Sequence, residues 1–308
     1  MGRVKLSMDA SSDFTPQGPF EARYLAFLET IPHLRPRLHR YCTRMTGSVM
    51  DGEDIVQDAL FQAYRKLDTF DDDRDLAPWL FRIAHNRCID FLRGRKVRRQ
   101  AEAEALQPDI VLPAEPNGPM LHHSVEQLVL ALAPKERACV LLKDVFDYTL
   151  EEIANLIGST TGAVKAALNR GRSKLATLKQ QPTPPRTKPP AASPLLSLYI
   201  ERFNQRDWDG IRELITADAR LRVADRFIGP LTNAPYFTRY QNLTAPWRMA
   251  LCQVDGEPAI LSLRQHDGEW TPFSIVRVEI AGDRITRVVD YWHCPWVIAS
   301  ASVAVDSL

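Results

Sequence analysis

DGEDIVQDALFQAYRKLDTFDDDRDLAPWLFRIAHNRCIDFLRG, residues 51–94, decides the fold of the first third of this 308-residue chain. The stretch predicts two helices joined by an acidic turn. In the first helix, Ile55, Ala59 and Tyr64 recur at helical spacing, and Asp51 is placed to cap the N-terminus. Acidic residues crowd the opening turns, where the helix dipole favours negative charge: Asp51, Glu53, Asp54 and Asp58. The first helix is therefore expected to present an acidic face.

The second helix of this stretch has the opposite character. Asp75 is the expected N-cap, Pro78 falls in the first turn, where its missing N–H costs little, and Gly94 is the expected stop. An apolar stripe alternates with basic and amide side chains; the latter are Arg82, Asn86, Arg87 and Arg93. The pair of helices thus places acid on one and arginine on the next.

Two segments of this block resemble region 2 of bacterial sigma factors, specifically the compact extracytoplasmic-function (ECF) group: D-x-E-D-I-V-Q-D-A-L-x-x-A-Y from Asp51 and W-L-F-R-I-A-H-N-R-C-I-D from Trp79. The resemblance implies that the acidic helix faces the polymerase clamp, through Asp54, Gln57, Asp58, Phe61 and Tyr64. It implies that the next helix faces the upstream promoter element, through Trp79, Arg82, Asn86, Arg87, Asp90 and Arg93. Trp79 would support strand opening, although a core position is an equal alternative.

The charge of the chain is segregated rather than large. The formal net charge is +1. Yet residues 82–99 carry seven basic side chains against one acid, and residues 160–179 carry five against none. Two separate basic segments on predicted helices favour a two-point grip on a polyanion such as DNA.

The cysteines and the N-terminus indicate a cytoplasmic protein. Five scattered cysteines have no paired spacing, which suits reduced thiols, and no apolar run follows Arg3 and Lys5. His85 and Cys88 stand one helical turn apart but lack two further ligands nearby, so neither a metal nor a cofactor is expected.

A second helical unit is predicted over residues 121–180. Its first helix carries Val125, Leu128, Val129 and Leu132; Pro134 opens the second, and Thr149 to Glu152 form a capping-box pattern for a third. A turn at 158–160 then leads to a last, basic helix. Short helix, tight turn and basic helix are typical of a helix-turn-helix.

The second unit resembles region 4 of the same sigma group. The carrying segments are L-x-x-K-E-R-A-C-V-L-L with inexact spacing, Y-T-L-E-E-I-A, and A-V-K-x-x-L-N-R-G-R-S-K-L. The resemblance implies contacts with the distal promoter element through Lys165, Asn169, Arg170 and Arg172. Many relatives have Ser-Arg where this chain has Ala166-Ala167, which weakens base contacts at those positions.

A third domain, here called the cone domain, is predicted over residues 195–308. It follows a proline-rich spacer, residues 181–194, that is neither helix nor strand in character. Two helices and then five strand-like runs, with a hairpin turn at Gly282-Asp283, resemble the cone-shaped nuclear-transport-factor-2-like (NTF2-like) fold of the SnoaL polyketide-cyclase type. Such domains enclose a pocket, and the candidate pocket residues are Tyr236, Trp247, Trp270, Asp290, Trp292 and His293. An aromatic-lined structural core is the preferred alternative, because an odd separation keeps Asp290 and His293 off one face of a regular strand.

The predicted architecture is a flexible tail (1–19), a region 2 domain (20–99), a linker (100–120), a region 4 domain (121–180), the spacer and the cone domain: two all-α units followed by an α+β unit. A long helix from about Phe20 to Met45, kinked or restarted near Pro32 and Pro36, opens the first unit. We expect a non-enzymatic sigma factor that binds core RNA polymerase and promoter DNA, with the cone domain regulating it and a small molecule as a candidate ligand. The alternatives are a ligand-responsive one-component DNA-binding regulator and a cyclase or isomerase fused to a DNA-binding module.

Overall fold

The computed structural model describes residues 19–70, 75–105, 130–179, 192–224, 226–232 and 234–305. The predicted tail up to residue 18, most of the 100–120 linker and most of the 181–194 spacer lie outside these residues. So does the predicted first helix of the second unit, with Val125, Leu128 and Val129. Within the described part of the chain, no helix is long and apolar enough to cross a membrane.

Three helices build the first unit: α1 (Pro19–Thr46), α2 (Val49–Arg65) and α3 (Leu76–Ala105), with a 3-10 turn at Leu67–Thr69. Of the kink or restart predicted in α1, the restart is wrong, because the helix runs unbroken through Pro32 and Pro36. Packing of its apolar side against α2 and α3 outweighs the two hydrogen bonds that the prolines remove.

The helix ends correct two predictions and confirm one. Ser48, not Asp51, is the N-cap of α2, and its hydroxyl accepts the N–H of Asp51 at 3.3 Å. The Asp75 carboxylate accepts the N–H of Ala77 at the start of α3, as predicted. Gly94 does not stop α3, which continues to Ala105. A mid-helix glycine costs about 1 kcal/mol, which a long helix with packed early turns tolerates.

The second unit contains α4 (Pro134–Asp144), α5 (Leu150–Ile157) and α6 (Thr161–Lys179). The predicted capping box is confirmed: the Thr149 hydroxyl accepts the N–H of Glu152, whose carboxylate accepts the N–H of Thr149 at 2.7 Å. Gly158 ends α5 in the left-handed region at φ +63°, where glycine is favoured. The helix-turn-helix outline is therefore present.

The two helical units share one apolar core. Tyr41 of α1 and Phe81 of α3 each lie against Phe146, which follows α4, with ring centroids 5.9 and 5.8 Å apart. The buried Arg137 of α4 donates to the carbonyl oxygens of Met45 and Leu132. The second unit is thus packed directly against the first.

The described residues of the cone domain form four helices and one seven-stranded sheet. The helices are α7 (Pro194–Gln205), α8 (Trp208–Glu213), α9 (Tyr236–Gln241) and α10 (Pro295–Ser300). The strands are β1 (Ile215–Val223), β2 (Phe227–Pro230), β3 (Trp247–Val254), β4 (Glu257–His266), β5 (Glu269–Ala281), β6 (Arg284–Asp290) and β7 (Val303–Val305), in the order β2-β1-β6-β5-β4-β3-β7. The expected α+β arrangement of an NTF2-like domain is confirmed.

Details of the sheet differ from the prediction. β1 and β6 pair in parallel, so the sheet is mixed rather than wholly antiparallel. The hairpin at Gly282-Asp283 is present, with Gly282 at φ +62°. Sequence analysis did not identify β2, α9, α10 or β7, which are all short. β6 ends at Asp290, so the predicted run to His293 is three residues too long.

The sheet has two covered faces. We call the face toward α7, α8 and α9 the inner face; it carries a cluster that includes Phe203, Tyr240 and Val276. The outer face carries a second cluster, which takes in α10 and also Val49 and Met50 from the start of α2. The first unit therefore contributes two fully buried side chains to the cone domain's outer face.

Candidate interfaces on α2, α3, α6 and the cone domain

The acidic side of α2 lies against arginines of the cone sheet. The Arg277 guanidinium on β5 is 2.7 Å from an Asp51 carboxylate oxygen and 3.6 Å from one of Asp54. Arg222 on β1 is 3.6 Å from Asp54. Burial alone would lower the pKa of Arg277, but Tyr291 and the carboxylates of Asp51 and Asp54 raise it. The cation is held by the acids of another domain.

Polar groups extend this contact along α2. Arg222 is 3.6 Å from Asp58 and donates to the Gln57 side-chain oxygen at 3.0 Å. The Tyr291 hydroxyl donates to the Asp54 carboxylate at 3.0 Å. Burial raises the pKa of Asp54 more than Arg277 and Arg222 lower it, so the contact carries a desolvation cost. We call the contacts of Asp51, Asp54, Gln57 and Asp58 with Arg222, Arg277 and Tyr291 the clasp.

The N-terminus of α2 is also capped from the cone domain. Asp255, in the hairpin between β3 and β4, accepts the Val49 N–H at 2.7 Å with one oxygen and the Ser302 N–H at 3.1 Å with the other. The Met50 carbonyl oxygen is 3.3 Å from the Tyr291 hydroxyl and shares its single O–H with Asp54. The first-turn N–H that α2 cannot satisfy internally thus has a partner 206 residues away.

Glu53 is a fully buried carboxylate at the same boundary. It pairs with Arg35, lies 3.0 Å from the His39 ring nitrogen Nδ1, and accepts the Trp296 indole N–H at 2.7 Å. Burial would raise its pKa, but the contact with His39 and the charge of Arg35 lower it to about 2. Cys294 adds a thiol contact at 3.7 Å. The Glu53 carboxylate therefore connects two helices of the first unit with the segment around α10.

The residues predicted to face the polymerase divide into two groups. Asp54, Gln57 and Asp58 are in the clasp. Phe61 and Tyr64 lie farther along α2 and are 64% and 44% exposed. Leu28 of α1 is 46% exposed, and the ring of Tyr24 lies 5.7 Å from that of Tyr64. The far end of α2 therefore presents an aromatic surface while its near end is covered.

The predicted promoter face of α3 is open. Its polar residues all lie on one exposed side of the helix: Arg82, Asn86, Arg87, Asp90 and Arg93. Arg87 donates to Gln62 of α2 at 3.0 Å, and Arg93 is 3.5 Å from Asp90. Several of them line a cleft of about 900 Å³ between α3 and the N-terminus of α4. Trp79 is half-buried and packs on Phe70, with ring centroids 4.7 Å apart.

The four predicted residues of α6 have two different environments. Lys165 and Asn169 are exposed and one helical turn apart. Arg170 is 3.1 Å from Glu136, and Arg172 pairs with Asp144, both acids on α4. Ala167 is fully buried, so the departure at Ala166-Ala167 is in part a core requirement of this helix.

The candidate pocket of the cone domain is filled by aromatic rings. Tyr240, which sequence analysis did not single out, lies against Trp247 and Trp292 with centroids 5.1 and 5.0 Å apart. Its hydroxyl donates to the fully buried Asp290 at 2.8 Å, and Ser274 donates at 2.5 Å. Burial raises the pKa of Asp290. These contacts describe a satisfied core carboxyl group.

Not all six candidate pocket residues come together. Tyr236 is 3% exposed and packs against Tyr240. Trp270 is on the outer face, under the guanidinium of Arg248, so its assignment to the pocket is wrong. Asp290 and His293 contact neighbouring residues of α9, Tyr240 and Arg239, because the strand that would have separated them ends at Asp290.

Residues 31–98 match the family Sigma-70 region 2, and residues 122–175 match the family Sigma-70, region 4. The ECF RNA polymerase sigma factor SigG of Mycobacterium tuberculosis is 30% identical over 300 residues, which cover 83% of this chain and 78% of SigG. SigW of Bacillus subtilis is 32% identical over 162 residues, 49% of this chain and 87% of SigW. The crystal structure of the M. tuberculosis ECF sigma factor SigJ superposes with a TM-score of 0.36 at 16% identity, covering 85% of this chain and 95% of that one.

The match to SigG extends over most of both proteins, and the chain matches the family models of both sigma regions. The chain belongs to the ECF RNA polymerase sigma factors, which act in transcription initiation.

Proposed function

We propose that this sigma factor binds core RNA polymerase through α2 and promoter DNA through α3 and α6, and that the cone domain controls it by covering part of α2. The observation that supports the control is the clasp. Asp54, Gln57 and Asp58, the residues that the family resemblance assigns to the polymerase, are bonded to the chain's own Arg222, Arg277 and Tyr291.

Competition follows from the two uses of α2. A carboxylate oxygen that accepts a hydrogen bond from an arginine of the cone domain cannot accept one from a polymerase group at the same position. The exposed rings of Phe61 and Tyr64 supply a first point of contact that does not require undocking. Polymerase binding would then proceed from the open end of α2 to the covered end, displacing the cone domain.

The clasp has the energetics of a reversible contact. In a partly buried ion pair, the attraction between the charges is only slightly larger than the free-energy cost of removing them from water. The raised pKa of Asp54 reflects that cost. The spacer keeps the cone domain near α2 at an effective concentration of about the millimolar range, so a weak contact suffices. A partner that binds the acids of α2 more strongly would displace it.

The promoter contacts divide by environment. On α3, the exposed Arg82, Asn86 and Arg87 combine phosphate and base-edge donors. On α6, Lys165 and Asn169 are free of ion pairs with described residues, whereas Arg170 and Arg172 hold α6 to α4. We therefore assign promoter contact on α6 mainly to Lys165 and Asn169. Because its partners are polymerase and genomic DNA, we place the protein in the cytoplasm.

The isomerase and cyclase alternative has less support. A general base must reach its substrate, but the Asp290 carboxylate is fully buried and bonded to Tyr240, Ser274 and the N–H of Trp292. We propose a non-enzymatic cone domain. A small molecule would influence the sigma factor only by binding one arrangement of the domains better than the other.

The test removes the clasp while leaving α2 intact. In the double variant Arg222→Met and Arg277→Met, the acids of α2 lose their arginine partners, so the cone domain should undock. We expect tighter binding to core polymerase and more promoter-specific run-off transcription than wild type. The matched control is Arg287→Met, which removes an arginine of β6 that pairs with Glu279 inside the cone domain.

A second pair of substitutions tests the polymerase assignment separately. Charge reversal by Asp54→Lys and Asp58→Lys should abolish polymerase binding while circular dichroism shows that the helices persist. Equal or lower transcription in the double arginine variant would overturn control by the clasp. Normal polymerase binding by the charge-reversed variant would overturn the role of α2.

A further inference from the structure

Three arginines gather where the inner face of the sheet meets the ends of α7 and α9. Arg206 is the C-cap of α7, Arg239 is on α9, and Arg264 is near the end of β4. Arg264 is the direct cross-strand partner of Trp247, so both side chains project to the inner face. The three cations therefore share one rim, which lies on the face opposite the clasp.

Each guanidinium of this rim lies over an aromatic ring of one connected cluster. The guanidinium carbon is 3.5 Å from the ring centroid of Trp247 for Arg206, 4.3 Å from that of Trp292 for Arg239, and 5.7 Å from that of Phe273 for Arg264. Trp292 and Phe273 touch each other, with centroids 4.9 Å apart. Stacking fixes the plane of a guanidinium but leaves its N–H edges available.

The rim is not neutralised from within the described residues. None of Arg206, Arg239 and Arg264 makes an ion pair there, whereas Arg222 and Arg277 on the opposite face both do. Like charges held near one another repel, and this cost is relieved when an anion binds between them. The rim therefore presents positive charge that no acid of the described residues neutralises.

The three arginines of the rim differ in how many of their guanidinium N–H groups already have a hydrogen-bond acceptor. Arg206 donates to the carbonyl oxygens of Phe203, Asn204 and Trp247, so it mainly contributes charge. One guanidinium nitrogen of Arg239 is hydrogen-bonded to the Nε2 atom of His293 at 2.9 Å. The Arg264 guanidinium makes no hydrogen bond with the described residues. Arg239 and Arg264 thus keep the N–H edges that bind an oxyanion in a bidentate manner.

We propose that this rim is a binding site for a small organic oxyanion, a carboxylate or a phosphate ester, held by Arg239 and Arg264. The apolar part of the ligand lies along the half-buried edges of Trp292 and Phe273. The inference deepens the proposed function by naming the ligand class, but binding at the rim does not require the clasp. The two can therefore fail separately.

The experiment measures binding to the full chain without polymerase. Benzoate and inorganic phosphate are titrated separately by calorimetry at an ionic strength of about 0.15 M, with chloride as the background anion. We expect saturable binding of at least one probe, with half-saturation below about 1 mM. Arg264→Met and Arg239→Met should each weaken binding at least tenfold. Binding of benzoate identifies a carboxylate site, and binding of phosphate alone identifies a phosphate-ester site.

The control variant is Arg220→Met, an exposed arginine of β1 two residues from Arg222 and therefore on the outer face. It should bind both probes as wild type does. Absence of saturable binding, or equal loss in Arg220→Met, would overturn the proposal. A short single-stranded DNA that binds more tightly than both probes, and loses binding in Arg239→Met, would identify the rim as a nucleic-acid surface and would also overturn it.

Discussion

At the scale of single residues, the most informative group is Asp290, whose fully buried carboxyl group has a raised pKa because of burial. A raised pKa means that the folded cone domain keeps a proton that the unfolded chain has lost. Stability should therefore fall as the pH rises from the ordinary Asp value toward the folded pKa. In Asp290→Asn this decline should be smaller, because the amide does not titrate and the contribution of Asp290 is removed.

The measurement is the melting temperature between about pH 4 and pH 8 for wild type and Asp290→Asn. Asp267→Asn is the matched control, because its carboxylate is 90% exposed and Asn also tolerates its backbone at φ +50°. The control should follow the wild-type curve. Parallel curves for wild type and Asp290→Asn would contradict a burial-driven shift.

Residue-level prediction succeeded where the signal is local. The capping box at Thr149, the cap at Asp75 and the hairpin at Gly282-Asp283 depend on neighbours within a few positions. Tyr240 was missed because α9 is only six residues long, which is too few for a helical pattern of apolar residues to be recognised in the sequence. Arg222 and Arg277 stand out in apolar strands, but nothing local indicates that α2 supplies their partners.

At the scale of elements, two glycines within helices have opposite roles. Gly52 lies where α2 crosses α1: a Cβ there would come within 2.6 Å of the Thr43 backbone nitrogen. Gly94 lies in the open middle of α3, where the nearest atom to an added Cβ is Arg98 Nη1 at 3.9 Å. Gly52→Ala should destabilise the first unit by about 1–3 kcal/mol through overpacking. Gly94→Ala should stabilise it by about 0.5–1 kcal/mol through helix propensity.

Denaturant unfolding, followed by helical circular dichroism, checks both substitutions. The two variants are each other's control, because they make the same chemical change in helices of the same unit. If Gly52→Ala were as stable as wild type, α1 and α2 could not approach as closely as they do here. If Gly94→Ala were destabilised, the continuous α3 would be in doubt.

Elements were predictable in proportion to their length and amphipathicity. The long helices and the five predicted strands have clear periodicity, and most were placed to within a few residues; α3 is the exception, because it runs to Ala105. The stop at Gly94 failed because glycine signals helix termination only when the following sequence also disfavours helix. The parallel pairing of β1 with β6 had no sequence signal, because it depends on how the chain between them folds.

At the scale of the whole molecule, the family and the order of the domains were predictable from motifs, but the docking of the cone domain on α2 was not. The basic residues of α6 could be grouped from sequence alone, yet only the structure separates Arg170 and Arg172, paired with acids of α4, from Lys165 and Asn169. Contacts such as Val49 to Asp255, 206 residues apart, require the assembled chain.

The docked arrangement predicts that the domains stay together without a covalent link. The contact combines the clasp with the apolar side chains of Val49 and Met50, both fully buried against the outer face of the sheet.

A protease site inserted between residues 184 and 188 would allow the folded chain to be cut in the spacer. At micromolar concentration and an ionic strength of about 0.15 M, the two fragments of the wild type should co-elute in gel filtration. The fragments of Arg222→Met with Arg277→Met should separate, because the acids of α2 are left without a countercharge in a partly buried site. Arg287→Met should behave as wild type. Separation of the wild-type fragments would show that the spacer alone holds the cone domain near α2, and control by docking would then depend entirely on the tether.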